Sequence, residues 1–230
     1  MNYKKIGIVI ADPDEYHPFV KMIADAKQIK VFNMQGISFK MGESDVLALL
    51  CGIGKVNAAT AATALVLSGC DAILNFGLSG GLGNSQKGGF CLPDTFLEHD
   101  FDFTDLGYKP CEKPWQEYIY KADKDLLALF SETLGVKPGG TAVTGDSFIC
   151  DEQKSKELSD NFSASSCDME TAAIASVCYA AGVPFAVLRR ISDDAGDDAI
   201  DTYRDVNTNE GDVLGNAFLK CLKAVTKAEG

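Results

Sequence analysis

The sequence predicts an α/β fold in which a mixed, largely parallel β-sheet is flanked by helices on both faces. Short apolar runs rich in Ile, Val and Leu recur along the chain, as expected of strands buried on both faces. Segments with helical patterns separate these runs, which is typical of strands joined by crossover helices. The chain has 230 residues and no internal repeat, so we predict one domain spanning residues 1–230.

The first half of the chain alternates between predicted strands and helices. Gln35 and Gly36 lie between two short strand-like pieces and predict the turn of a hairpin. In chain order, the predicted segments are a strand in "KKIGIVIA", a helix in "DPDEYHPFVKMIADA", the hairpin in "KQIKVFNMQGISFKMG", a strand in "VLALLCGIG", a helix in "KVNAATAATALVLSG" and a strand in "DAILNFGLSGGLG".

The glycine-rich end of that last segment, "GLSGGLG", has two interpretations. One is a phosphate-binding loop, but the spacing does not fit G-x-x-x-x-G-K-[ST] and is a poor G-x-G-x-x-G. We therefore predict a tight strand-to-helix turn, which still allows a ligand to approach the backbone closely.

The second half continues the alternation. "GFCLPDTFLEHDFDFTDLGY" begins as a strand and continues into an acidic, aromatic loop. The remaining segments are a helix in "DKDLLALFSETLG", a strand in "GGTAVTGDSFI", a helix in "METAAIASVCYAAG", a strand in "VPFAVLRRISD" and one C-terminal helix in "NTNEGDVLGNAFLKCLKAVTKA".

The composition argues against several classes of protein. A formal net charge of −12 disfavours nucleic acid or an anionic membrane as the partner. The N-terminus makes a poor secretion signal, and no stretch reaches the roughly 20 apolar residues of a membrane span. Eight cysteines without a C-x-x-C motif, and only two histidines, predict reduced thiols and no metal site. We also expect no cofactor. We therefore expect a cytoplasmic protein.

Ligands of such sheets bind outside the carboxyl ends of the strands. Glu15 follows the first strand, Glu170 precedes a helix of small residues, and Asp193 ends an apolar strand. Each also has an ordinary interpretation, as an acid at a helix N-terminus or, for Asp193, as a helix N-cap. Without a suitable His or Cys constellation, an enzyme would use carboxylates as acid and base. Such a pair suits cleavage at an anomeric carbon, where one group protonates the leaving group and the other activates water.

Seven segments share their order and spacing with one known family: "IGIVIADPDE", "GIGKVNAATAA", "NFGLSGGL", "HDFDFTDLGY", "TGDSFI", "DMETAAIA" and "VPFAVLRRISD". From residue 6 to about residue 205, the chain resembles bacterial 5′-methylthioadenosine/S-adenosylhomocysteine nucleosidases, which belong to the nucleoside phosphorylase superfamily. The resemblance implies a three-layer sandwich of the nucleoside phosphorylase type. It also implies hydrolysis of the N-glycosidic bond of a 5′-thio-substituted adenosine to adenine and a thioribose.

The resemblance implies roles for the matching residues. Glu15 matches a glutamate that activates water, Asp193 an aspartate that protonates adenine N7, and Arg189 an arginine near the water. Glu170 matches a glutamate that binds the ribose hydroxyls, and Met169 a methionine packed against the sugar.

Other matches concern the base and the 5′ substituent. Phe148 matches the ring that stacks on adenine, and Ile149 the residue whose backbone reads its edge. Phe103 and Tyr203 match positions of the 5′ pocket, although an apolar ring is usual in place of Tyr203, which suggests a more polar or differently shaped tail pocket.

The resemblance also implies a homodimer, in which Leu106 and Tyr108 match residues donated to the neighbour's 5′ pocket. Two departures concern the site. Leu78 stands where the family commonly has Ser, with Ser79 one place away, and Arg190 replaces a small residue.

Two alternatives to a hydrolase stay open. A phosphorylase of the same fold would need cations for phosphate, whereas "ADPDE" and "GLSGG" contain none, and Lys55 is the one nearby cation. A nucleoside-binding module with little turnover is the other alternative. Methylthioadenosine, S-adenosylhomocysteine, 5′-deoxyadenosine and aminodeoxyfutalosine differ only at the 5′ tail, and all four remain candidate substrates.

Overall fold

A computed structural model of the protein describes residues 3–209 and 211–228. Within these residues, eleven strands form one sheet, accompanied by seven α-helices. The strands are β1 (Lys5–Ile10), β2 (Lys27–Val31), β3 (Met34–Met41), β4 (Ser44–Leu50), β5 (Ala72–Gly81), β6 (Phe90–Cys91), β7 (Thr95–Glu98), β8 (Tyr120–Lys121), β9 (Thr141–Thr144), β10 (Ala164–Asp168) and β11 (Phe185–Asp193). The helices are α1 (Pro13–Lys21), α2 (Lys55–Leu67), α3 (Lys124–Leu134), α4 (Glu152–Phe162), α5 (Thr171–Ala181), α6 (Ala199–Asn209) and α7 (Gly211–Thr226), with a 3-10 turn at Thr104–Leu106.

The sheet is mixed and its centre is parallel, which confirms the predicted α/β class. Strands β4, β1, β5 and β11 lie side by side and run in the same direction. Strand β10 pairs in antiparallel fashion with the end of β5, and β9 and β7 continue the sheet from β10. Two groups of helices cover the sheet, α2 with α5, and α1 and α3 with α7.

A cluster of phenylalanine rings fixes the first helix against the centre of the sheet. The rings of Phe76 in β5 and Phe218 in α7 stack with centroids 4.3 Å apart. Phe19 in α1 packs against Phe76 at 5.3 Å, and all three side chains are fully buried. Burying such rings stabilises the fold by roughly 2–3 kcal/mol each. The packing holds the start of α1 beside the carboxyl end of β5.

The predicted hairpin exists, but its predicted turn at Gln35 and Gly36 is wrong. Strands β2 and β3 meet at Phe32 and Asn33, and Gly36 lies inside β3. A Cβ on Gly36 would lie 2.4 Å from the carbonyl oxygen of Ala48 in β4. The glycine therefore serves close strand pairing rather than a turn.

The prediction of a turn in "GLSGGLG" is also wrong, because β5 continues through Gly81. Glycine is needed there because other side chains occupy the space of a Cβ. A Cβ on Gly80 would lie 2.8 Å from the Sγ of Cys167 and 3.3 Å from Oδ1 of Asp193.

The single predicted C-terminal helix is in fact two, α6 and α7. Sequence reasoning also missed α4, β8 and β10. Helix α4 buries only Leu158, so it has too few apolar residues to show a helical repeat in the sequence. Strand β10 reads "ASSCD", which has low strand propensity and pairs because β5 and β9 lie on either side of it.

Candidate active site

A cavity of about 320 Å³ lies where the carboxyl ends of β1, β5 and β11 meet. Eight of the twelve predicted site residues line it: Glu15, Ser79, Phe148, Ile149, Met169, Glu170, Asp193 and Tyr203. Leu78 lines it as well. Residues far apart in the chain are thus brought to the edge of the sheet that the parallel strands predict.

Glu15 is held in the first turn of α1. Asp12 caps this helix by accepting a hydrogen bond from the backbone N–H of Asp14 at 2.7 Å. Glu15 Oε1 accepts one from the backbone N–H of Leu78 at 2.8 Å. Burial raises the pKa of Glu15 to about 8, assisted by Glu170 and Asp12 and opposed by Arg189 and the Leu78 N–H. The ionised form of a carboxyl with so high a pKa accepts a proton more readily than an ordinary carboxylate does, which suits a general base.

Glu170 is placed where α5 begins. Its Oε1 accepts a hydrogen bond from the backbone N–H of Gly54 at 3.1 Å, and its Oε2 lies 3.7 Å from Nη2 of Arg189. The side chain is buried, and burial raises the pKa of Glu170 against the opposing charge of Arg189. These contacts orient a carboxylate on the cavity wall.

Arg189 lies behind the wall instead of lining the cavity. Its side chain is 2% exposed, its Nη1 donates to the carbonyl oxygen of Leu78 at 3.2 Å, and its Nε lies 3.6 Å from Oδ2 of Asp168. Arg189 thus ties Glu170 to β5. Its predicted place near a water molecule stays a prediction.

Asp168 belongs to a network that sequence reasoning did not identify. Its Oδ1 accepts hydrogen bonds from Oγ1 of Thr144 at 2.8 Å and from the backbone N–H groups of Glu170 and Thr171 at 3.0 Å each. With Arg189 on Oδ2, the carboxylate is fully engaged. The network fixes the start of α5, and with it Glu170.

Gly77 leaves the space into which Arg189 and Glu15 extend. A Cβ at this position would lie 2.2 Å from Nη1 of Arg189 and 2.9 Å from Oε1 of Glu15. Gly77→Ala is expected to lower the free energy of unfolding by about 1–3 kcal/mol, because two buried charged groups must move. Urea unfolding measures this loss. Gly196→Ala is the matched control, since its Cβ would meet no atom closer than 3.5 Å, and it should change stability by less than about 0.5 kcal/mol. Equal stability of Gly77→Ala and wild type would contradict the close packing.

Asp193 is fixed by two hydrogen bonds. Its Oδ1 accepts from the backbone N–H of Ala195 at 2.9 Å, and its Oδ2 accepts from Oγ of Ser192 at 2.6 Å. Burial raises the pKa of Asp193, against these two hydrogen bonds. Helix α6 begins only at Ala199, so the interpretation of Asp193 as its N-cap is wrong.

Aromatic side chains form the mouth of the cavity. The rings of Phe148 and Tyr203 meet edge to face with centroids 5.4 Å apart, and Phe148 is 42% exposed. The hydroxyl of Tyr203 donates to Oδ2 of Asp12 at 3.4 Å. An exposed ring at a cavity mouth is available for stacking on a planar ligand.

Besides Arg189, three predicted residues do not line the cavity of this chain. Phe103, Leu106 and Tyr108 lie in the loop after β7, where the rings of Phe103 and Tyr108 are 6.2 Å apart. Leu106 is 69% exposed. Arg190 also points elsewhere, because its Nη1 donates to the carbonyl oxygen of Gly88 at 2.8 Å.

The charge of the cavity is acidic. None of the described residues that line it is Lys or Arg. The Nζ of Lys55, the cation identified from the sequence, lies 3.0 Å from Oε2 of Glu98 and 2.5 Å from Oδ1 of Asp100. The wall is therefore poorly suited to bind a phosphate dianion.

Other features of the described residues bear on the sequence predictions. All eight cysteines are free thiols. No three His, Cys, Asp or Glu side chains in residues 3–209 and 211–228 are grouped so that they could hold a metal ion. No helix in those same ranges is both long and apolar enough to cross a membrane.

Comparison with known proteins identifies the family. The sequence profile of the phosphorylase superfamily matches residues 5–227. A 5′-methylthioadenosine/S-adenosylhomocysteine nucleosidase from Shewanella piezotolerans is 34% identical over 85% of this chain and 88% of its own. One from Haemophilus influenzae is 37% identical over 82% of this chain and 86% of its own. The chain belongs to this nucleosidase family of the phosphorylase superfamily.

The fold agrees with that of the nucleosidase family. The structure of a 5′-methylthioadenosine/S-adenosylhomocysteine nucleosidase from S. pneumoniae, solved with a transition-state inhibitor, matches this chain with a TM-score of 0.89 and 27% identity. The match covers 96% of this chain and 99% of that one. The nucleosidase-like architecture implied by the sequence is therefore confirmed over nearly the whole chain.

Proposed function

We propose that the protein hydrolyses the N-glycosidic bond of 5′-thio-substituted adenosines, including methylthioadenosine and S-adenosylhomocysteine, and of 5′-deoxyadenosine. The products are adenine and the 5′-substituted ribose. The observation that carries the proposal is that Glu15, Glu170 and Asp193 line one cavity whose described lining has no cationic side chain. Carboxylates of this kind can stabilise an oxocarbenium-like transition state and activate water.

Asp193 is proposed as the general acid. It gives its proton to N7 of adenine while the bond between C1′ and N9 breaks, so that the bonding electron pair leaves with a neutral base. Burial favours the protonated carboxyl that this step needs, as the raised pKa of Asp193 indicates. Phe148 stacks on the base, Ile149 reads its edge through the backbone, and Ser79 contacts the substrate from β5.

Glu170 is proposed to bind the ribose hydroxyls, with Met169 packed against the sugar. Positive charge develops on the ribose ring as the base leaves, so a fixed carboxylate stabilises the transition state more than the ground state. The support for this role is the orientation of Glu170 by Gly54 and Arg189.

Glu15 is proposed as the general base. It takes a proton from the attacking water while the water oxygen bonds to C1′. Leu78, whose N–H holds Oε1, leaves the second carboxylate oxygen of Glu15 for this role. Arg189 acts as a positioning residue behind Glu15 and Glu170.

We further propose that the enzyme is a cytoplasmic homodimer, in which Leu106 and Tyr108 complete the partner's 5′ pocket, with Phe103 beside them. The exposure of Leu106 and Trp115, at 69% and 94%, supports burial against another chain. Light scattering can test the dimer, which a mass of one 24.6 kDa chain would contradict.

Hydrolysis predicts that adenine release does not depend on phosphate. We expect methylthioadenosine to give adenine and free methylthioribose at the same rate with and without phosphate, because the acidic cavity disfavours a dianion. Chromatography of both products measures this, and in oxygen-18 water the label should appear at C1 of the sugar.

Two outcomes would contradict the hydrolase. Sugar that appears only as its 1-phosphate would identify a phosphorylase. Thermal stabilisation by adenine without release from any substrate would identify a binding module.

A further inference from the structure

We infer that Asp12 and Tyr203 form a recognition site for a cationic, hydrogen-bond-donating group on the 5′ substituent of the nucleoside. The enzyme should therefore prefer substrates with an amino-bearing tail over those with an apolar tail of the same size. This inference rests on the proposed function and specifies the substrate class of the same cavity.

The position of the two residues follows from the order of the strands. Asp12 follows β1 and Asp193 ends β11, and β5 runs between these two strands. Two inter-strand steps separate them, a distance of roughly 10 Å. With adenine at Asp193 and the ribose at Glu170, the cavity beside Asp12 is left for the 5′ substituent.

Tyr203 lies at the same end of the cavity. Burial raises the pKa of Tyr203, and the charges of Asp12, Glu15 and Glu170 raise it further. The phenol therefore keeps its proton and can orient a neighbouring acceptor.

The Asp12 carboxylate has spare acceptor capacity. Its Oδ1 caps α1 through Asp14, while its Oδ2 accepts only a long hydrogen bond of 3.4 Å from Tyr203 among the described contacts. A substrate ammonium can use that oxygen in a shorter, charge-assisted hydrogen bond. An apolar tail would displace water from the Asp12 carboxylate without replacing the hydrogen bonds that the water made.

The surrounding charge has the sign that a cation requires. Glu15 lies beside Asp12 and Glu170 lies beside Glu15, while Arg189 is buried behind Glu170 and paired with Asp168. An anionic tail would meet the Asp12 carboxylate, with no Lys or Arg among the described residues that line the cavity. The field thus ranks cationic above neutral above anionic tails.

A second contact holds this end of the cavity in place. Nδ2 of Asn207, one turn after Tyr203 in α6, donates to Oδ2 of Asp14 at 3.2 Å. Helix α6 is thereby fastened to the first turn of α1 at two points. Tyr203 is positioned before the substrate binds, which favours selectivity.

A matched set of substrates tests the inference. We expect kcat/KM for 5′-(3-aminopropylthio)-5′-deoxyadenosine to exceed that for the 5′-butylthio analogue at least about tenfold, the contribution of one hydrogen bond to a charged group. The 5′-(3-carboxypropylthio) analogue should be the slowest. The aminopropylthio and butylthio tails have the same length and shape, so the ratio of their kcat/KM values reports the effect of the charged amino group.

Variants assign that ratio to the two side chains. Asp12→Asn should lower the amino-to-butyl ratio about tenfold, because asparagine keeps the helix cap but loses the charge. Tyr203→Phe should lower the ratio by a smaller factor, about twofold to fivefold. Asp25→Asn is the control: it removes an exposed carboxylate that does not line the cavity and should leave the ratio unchanged.

The outcomes separate this inference from the proposed function. Adenine release with a wild-type ratio near one, or with a ratio unchanged in Asp12→Asn, would overturn the inference and leave the hydrolase intact. If no substrate released adenine, the function would fail. Calorimetric binding of the same pair would then decide the inference, which equal affinities for the two nucleosides would overturn.

Discussion

Asp193→Asn is expected to lower kcat for adenine release by about 10²- to 10⁴-fold, the usual contribution of a general acid. Asparagine has the size of aspartate, and its oxygen can still accept the hydrogen bond from the N–H of Ala195. The amide of asparagine has no acidic proton that it could transfer to N7 of adenine. Adenine must then leave as a poorly stabilised anion, and the loss appears in kcat more than in KM.

Two further measurements assign the loss to proton donation. Asp194→Asn removes the next carboxylate, which is exposed, and should keep turnover within about twofold. In 4-nitrophenyl 5-methylthioriboside the leaving group, 4-nitrophenolate, departs without being protonated. Asp193→Asn should therefore hydrolyse this substrate nearly as fast as wild type does. An Asp193→Asn enzyme that keeps more than half of its turnover on methylthioadenosine would show that Asp193 is not the acid.

The centre of the fold could be predicted because each of its strands is recognisable from its own short run of apolar residues. The runs "IGIVI" in β1 and "FAVL" in β11 are buried on both faces and therefore contain no polar side chain. Ligands of such sheets bind in a cleft at the carboxyl ends of the parallel strands. Glu15 and Asp193 were candidates because each lies at or just after the end of such a strand. Glu170 came from its place before a helix of small residues. The roles of all three came from the family resemblance.

The parts that could not be predicted depend on contacts between distant segments. Gly36 and Gly77 look like turn residues in the sequence, yet each is required by an atom from another strand, the Ala48 oxygen or the Arg189 guanidinium. The network around Asp168 joins β9, β10, α5 and β11, which are separate segments of the chain, so no local sequence pattern could predict it. Strand β10 exists only because its neighbours pair with it.

Glu15→Gln is expected to abolish most activity and yet stabilise the fold at alkaline pH. Turnover should fall by about 10²- to 10⁴-fold, because glutamine cannot accept a proton from water. Its side-chain oxygen can still accept the hydrogen bond from the Leu78 N–H, so the local structure can persist.

The stability gain follows from the pKa of Glu15. Burial raises the pKa of Glu15 from 4.5 to about 8 in the folded protein. Between these two pH values the unfolded chain releases its proton and the folded chain keeps it. The folded state therefore binds more protons, and its stability falls as the pH rises through this window. The cost approaches about 5 kcal/mol at pH 8 and above, as an upper bound, and glutamine does not incur it.

Urea unfolding at pH 5 and pH 8 measures the effect. The gap in unfolding free energy between Glu15→Gln and wild type should widen toward pH 8. Asp14→Asn, which removes the exposed neighbouring carboxylate, controls for the change in net charge and should show no such widening. A gap that is the same at both pH values would contradict the raised pKa. Such a cost to stability is typical of an acid kept for function, which agrees with the role of general base proposed for Glu15.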